Sequence, residues 1–261
     1  MKFIKVTLLI TILISLIGCE DQPKETVPTK KVVKKVIPEK IEKVIEDLPD
    51  LITNENVTEK LLAYGKENPE TVLDIYTTYG KLRVKLYKDT PLHRANFVML
   101  AKKGFFKGSV FTRAVQHFIA QGGGTSRKEQ VEVKRGIGSY TIPSEIKRNR
   151  IHKRGTLGAA RGYLNNPDKR SDPYAFYFVE GMKYKKELLK HYEMQNNYTY
   201  NQTQIDYYTK NPGAAHIDGE HTVFGEIISG YSVVPKITVV ETDSREWPRT
   251  DIFIDSVVVI K

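Results

Sequence analysis

The chain has 261 residues, of which 40% are apolar and 28% charged, a balance that suits a soluble globular protein of one large or two small domains. Cys19 is the only cysteine, which excludes an intramolecular disulfide. The formal charge of +10 is dispersed: residues 20–50 carry seven Lys against eight acids, and residues 71–261 carry 30 Lys or Arg against 19 acids, so no nucleic-acid partner is expected.

In chain order, Lys2 and Lys5 precede an unbroken run of apolar residues, Thr and Ser from Val6 to Ile17. At about 12 residues the run is too short to span a bilayer, but it suits the apolar core of a signal peptide. Leu16-Ile17-Gly18-Cys19 resembles the lipobox of bacterial lipoproteins. The resemblance implies a signal peptide over 1–18, lipidation at Cys19, and a lipid-anchored protein of the cell envelope facing periplasm or cell exterior. Residues 20–50 alternate Lys, Glu, Val, Ile and Pro without aromatic residues and read as an extended tether. A short helix follows over Asn56 to Lys66, capped by Asn56 or Thr58 and closed by Gly65 and Pro69, so residues 19–70 group as anchor, tether and helix.

From Thr71 the period becomes two. Leu73, Ile75 and Thr77, then Leu82, Val84 and Leu86, predict a β-hairpin turning at Tyr79-Gly80. Pro91 suits the first turn of a helix that runs to Gly104, with Thr90 as its cap. Short strands are expected near 109–112, 118–121, 155–159, 175–179, 223–227 and 254–260, which suggests a mostly β sheet closed on itself. Residues 183–212 break this rhythm with a helix-forming stretch and then Asn, Tyr and Gln, and read as an insertion on the domain surface. Asn197 and Asn201 begin matches to glycosylation sequons, read as accidental.

The run from Phe111 to Gly123 places Arg113, Phe118, Ile119 and Gln121 in an order that resembles the cyclophilin signature. Further matches are Asn96-Phe97, Ile142-Pro143-Ser144-Glu145, Gly155-Thr156-Leu157-Gly158-Ala159-Ala160, and Asp218-Gly219-Glu220-His221 through Gly225. They follow the family's order over nearly all of 71–261. The resemblance implies a closed antiparallel eight-stranded β-barrel with flanking helices, carrying the 183–212 segment as an insertion. It also implies peptidyl-prolyl cis-trans isomerase activity on proline-containing polypeptides, by a monomer without metal or cofactor.

Such chemistry needs neither a nucleophile nor a metal. Rotation about a peptide bond faces a barrier of about 18–20 kcal/mol, because nitrogen shares its lone pair with the carbonyl. A fixed guanidinium that donates to the nitrogen of the twisted bond lowers that barrier selectively. The resemblance assigns this role to Arg113. It places Phe118, Ile119, Tyr177 and Ile217 in the proline pocket, with His216 and His221 against it. Gln121 would bond the substrate backbone and help orient Arg113, while Ala160 and Arg161 would offer main-chain groups. Ala175 departs from the family's groove Gln, and His216 stands where many members have Trp. Two other readings compete: an idle proline-peptide binding module or holdase recruited through the insertion, and a basic tethered domain binding envelope polymers or nucleic acid.

Overall fold

The computed structural model describes residues 51–124 and 127–261. The segments expected to be signal peptide and tether, and Cys19 with them, lie outside the described residues. In chain order the elements are β1 (Ile52–Thr53), α1 (Val57–Glu67), β2 (Val72–Thr77), β3 (Gly80–Leu86), α2 (Pro91–Lys102), β4 (Ser109–Val115), β5 (Ile119–Gly123), α3 (Lys128–Ile137), β6 (Gly138–Ser139), β7 (Thr156–Ala159) and β8 (Ala175–Val179). Then come α4 (Lys186–Asn196), α5 (Gln202–Lys210), a 3-10 turn (Ala215–Ile217), β9 (Val223–Ser229), α6 (Val233–Thr238) and β10 (Phe253–Val259).

Strand alternation sorts the side chains. Leu73 and Ile75 on β2 oppose Val84 and Leu82 on β3, and all four are wholly buried. The same alternation turns Phe111, Ala120, Leu157, Phe176, Phe178 and Ile254 inward, and full burial of each Phe, Leu or Ile among them stabilises by about 1.5–3 kcal/mol. Eight strands close into an antiparallel barrel in the order β10-β2-β3-β9-β7-β8-β5-β4, with β4 pairing back to β10. The eight-stranded barrel expected from the resemblance is present.

Helix α2 closes one side of the barrel core. Every residue from Leu92 to Ala101 is buried, because the barrel covers one face and α1 packs against the helix as well. Phe97 meets Phe176 edge-on at 5.4 Å. Thr90 does not cap α2 with its side chain. The Glu145 carboxylate does, accepting from the amides of Leu92 and His93 at 3.0 and 2.9 Å.

Helix α1 belongs to the folded body rather than to the tether. Val57 and Leu61 join the main core, and the Arg94 guanidinium donates to the carbonyls of Gly65 and Asn68, both at 2.9 Å. A Cβ on Gly65 would lie 3.0 Å from that of Ala95, so glycine lets the two helices approach. Among the described residues no helix is long and apolar enough to cross a membrane.

The insertion is not a surface appendage. Tyr184, Leu189, Tyr198, Tyr200 and Tyr208 form a second buried core with Ile151 and Ala215. Asn197 ends α4 in the left-handed conformation, and Asn201 caps α5 in a reciprocal bond pair with Gln204. Both sequon asparagines therefore serve helix ends.

Candidate active site

The site lies on the outer face of four adjacent strands. Backbone register aligns Arg113 on β4 with Gln121 on β5, Tyr177 on β8 and Gly158 on β7. Phe111 and Ala114 both belong to the core although they stand three positions apart, an odd number. A register shift between Phe111 and Arg113 absorbs the extra residue and aims Arg113 outward, a common use of a bulge. Ile119, Tyr177, Val179, Ala214 and Ile217 form a separate apolar cluster under this face, with Phe118 and Ala160 packed against it.

Above the cluster opens a cavity of about 290 Å³, lined by Arg113, Phe118, Gln121, Ala160, Arg161, Tyr177, Ile217 and His221 among others. Eight of the ten residues expected at the site thus line one cup. Ile119 is buried beneath it. His216 stands behind Phe118, ring centroids 4.6 Å apart, and backs the wall rather than lining it.

Arg113 sits over the Phe118 ring at 5.4 Å, and its Nε donates to the Glu246 carboxylate at 2.5 Å. Glu246 has φ +63 in a tight turn in which the Asp243 carboxylate accepts from the amides of Arg245 and Trp247. Gln121 makes no side-chain hydrogen bond among the described residues, so Glu246, not Gln121, orients the guanidinium in this state. The Arg161 side chain turns away to Glu220, donating from Nε to its carbonyl at 2.7 Å and pairing with its carboxylate. The Ala160 amide donates to Ala175, and its carbonyl accepts from Asp172.

His221 faces the Ala159 carbonyl through Nδ1 at 3.0 Å. A carbonyl only accepts, so Nδ1 carries the proton and Nε2 accepts from the Tyr163 hydroxyl at 2.7 Å. Burial pushes the His221 imidazole down to about 3, which keeps the ring neutral near pH 7. Tyr163, itself exposed, extends the rim and stacks on Arg161 at 4.1 Å.

The Tyr177 ring forms the floor. A Cβ on Gly158 would fall 2.3 Å from the ring's Cζ, so only glycine leaves that space. The Tyr177 hydroxyl is 2.8 Å from His152 Nε2, and His152 Nδ1 is 2.7 Å from Asp218 Oδ1. Sequence reasoning missed His152, Tyr163 and Glu246. The clue at hand was Tyr177 itself, a buried phenol that needs a partner where the family has Phe.

The profile of the family described as "Cyclophilin type peptidyl-prolyl cis-trans isomerase/CLD" matches residues 72–259. The chain belongs to that family. A peptidyl-prolyl cis-trans isomerase of Helicobacter pylori is 32% identical over 62% of this chain and 77% of its own. A peptidyl-prolyl cis-trans isomerase-like 2 protein of Rhizopus delemar is 27% identical over 77% of this chain, which spans only 31% of that longer relative. Among solved structures, a cyclophilin type isomerase of Cryptosporidium parvum superposes with a TM-score of 0.52 at 19% identity, covering 74% of this chain and 98% of that one. That likeness establishes the shared cyclophilin barrel.

Proposed function

We propose that this cyclophilin accelerates cis-trans isomerisation of X-Pro bonds in exported or envelope polypeptides, with Arg113 as the catalytic residue. One observation carries the reading: a guanidinium stands at the rim of an apolar cup on the outer barrel face. The cup would take the proline ring on Phe118, Ile217 and Tyr177, which restrains the ring while the preceding residue rotates. As the bond twists, the imide nitrogen regains its lone pair and becomes an acceptor. The Nη groups of Arg113 make no hydrogen bond among the described residues, while Nε is held by Glu246. Donation from Nη to that nitrogen strengthens toward the twisted state, and each 1.36 kcal/mol of such preference is about tenfold in rate. A related solved cyclophilin was determined in the presence of the dipeptide Ala-Pro, consistent with a proline ligand for this fold.

The cellular setting rests on the lipobox-like segment before Cys19. Lipid attachment there would tether the domain at a membrane surface, where newly exported chains fold and slow X-Pro bonds limit the rate. A protease-coupled isomerisation assay on an Ala-Pro peptide tests the activity: acceleration above the uncatalysed rate is expected, and none would overturn the reading. Cys19→Ser should move the protein from the membrane to the soluble fraction, and persistent membrane association would refute lipidation.

A further inference from the structure

The insertion contributes three tyrosine hydroxyls to the surroundings of the proline cup. Asp218, 1% exposed, accepts at Oδ2 from Tyr208 at 2.5 Å and from Tyr200 at 3.0 Å. Its Oδ1 accepts from the backbone amide of His152 at 2.8 Å and from His152 Nδ1 at 2.7 Å. A carboxylate only accepts, so Nδ1 carries the proton, and in the neutral ring Nε2 is left to accept from Tyr177. Burial pushes the Tyr177 and Tyr208 phenols well above their usual range, so both remain donors. Asn196 at the end of α4 donates to the carbonyls of His216 and Asp218 at 2.9 and 3.0 Å, which ties the insertion to the same turn.

A second route reaches the opposite wall. His216 backs Phe118, and the insertion holds His216 through the Tyr184 hydroxyl at 3.2 Å and the Tyr192 ring at 5.9 Å.

We propose that the 183–212 insertion sets the shape of the proline cup: Tyr200 and Tyr208 fix Asp218, Asp218 fixes His152, and His152 pins the Tyr177 ring against Gly158 and out of the cup. His152, Asp218, Tyr200 and Tyr208 are positioning residues, since each acts through Tyr177. The physical reason is local. A phenol hydroxyl stranded in a buried site loses its hydration without compensation. For Tyr177 the way to water leads through the cup, so a ring released from His152 moves into the space that proline needs.

The inference rests on the cup being the proline site, and its test is a cycle read in peptide affinity as well as turnover. Tyr208→Phe in the full chain should raise the KM and the dissociation constant for an Ala-Pro peptide about three- to tenfold, the range one net hydrogen bond is worth, with kcat within about twofold. In a Tyr177→Phe background, where no hydroxyl is left to strand, Tyr208→Phe should change neither value further. Equal effects of Tyr208→Phe in the two backgrounds would overturn the proposal. A lowered Tm with unchanged affinity would also overturn it, because a purely structural tyrosine behaves that way. Should Tyr208→Phe fail to fold, Tyr200→Phe carries the same cycle. Turnover unchanged in Arg113→Ala would sink the isomerase reading while leaving the affinity cycle readable.

Discussion

The barrel interior and the core of the insertion solve the burial problem with different residues. Inside the barrel, Phe97, Phe106, Phe176, Phe178 and Phe224 pack ring on ring and bring no polar atom with them. The insertion buries Tyr184, Tyr198, Tyr200 and Tyr208, and each hydroxyl must find a partner. Tyr198 reaches the Arg148 carbonyl at 2.6 Å, while Tyr200 and Tyr208 converge on Asp218. An apolar core tolerates small shifts. A tyrosine core that shares one carboxylate specifies positions, and it does so beside the cup proposed to hold proline.

Breaking the carboxylate gives the largest effect. Asp218→Ala leaves His152 and two phenols without their shared acceptor, and each buried group so stranded costs about 1–3 kcal/mol. Denaturant unfolding should show a loss on that scale, whereas a loss under about 1 kcal/mol would mean that the hydroxyls find other partners. Deleting 183–212 should act in the same direction and cost folded yield, not just partner choice, because the segment covers Ile151 and Ala215.

The barrel side of the comparison responds through volume alone. Phe176→Leu should cost about 1–3 kcal/mol in the same measurement while leaving the peptide affinity of the folded fraction near wild type. Altered affinity at that position would show that the two cores are not separable.

Acid titration sharpens the contrast further. His221 is held near 3 by burial, below an ordinary imidazole at about 6.5. Between those values the unfolded chain binds a proton that the folded protein does not, so stability rises with pH across the window and is lost as pH falls from about 6.5 toward 3. Its slope from this one group approaches about 1.4 kcal/mol per pH unit. His221→Phe should flatten that slope, measured as unfolding free energy against pH.

The smallest effect belongs to Glu246. Both members of its pair with Arg113 are over a third exposed, so the pair contributes about 0.2–1 kcal/mol to stability. Glu246→Ala should leave the Tm within a few degrees and lower kcat/KM about three- to tenfold, through a guanidinium that is no longer oriented. Glu246→Gln should restore most of the loss.

Which of these features the sequence disclosed follows from how far apart their parts lie. Arg113, Phe118 and Gln121 lie close together along one hairpin, so the resemblance to the family signature made the motif legible. Tyr177 on β8 was legible through the same resemblance, and the structure adds that Phe176 and Phe178 beside it turn into the barrel core. Glu246 was not, because it reaches Arg113 from 133 residues away across the β10 approach. The same holds for Glu145, which caps α2 from a distance where Thr90 was expected to act locally. Helix α3 escaped notice because its Lys- and Glu-rich stretch resembles any solvated segment. The Tyr177–His152–Asp218 chain spans separations of 25 and 66 residues. No local pattern marks such a chain, and only closure of the barrel assembles it.

The proposed mechanism centres on a fixed guanidinium that would reward the twisted imide more than the planar one. Turnover and peptide affinity measured together on Arg113→Ala test it most directly. The account predicts that kcat falls about 10²–10³-fold, the loss typical of one preorganised donor, while the dissociation constant for an Ala-Pro peptide stays within about threefold. Retained turnover, or a loss wholly explained by weaker binding, would contradict it.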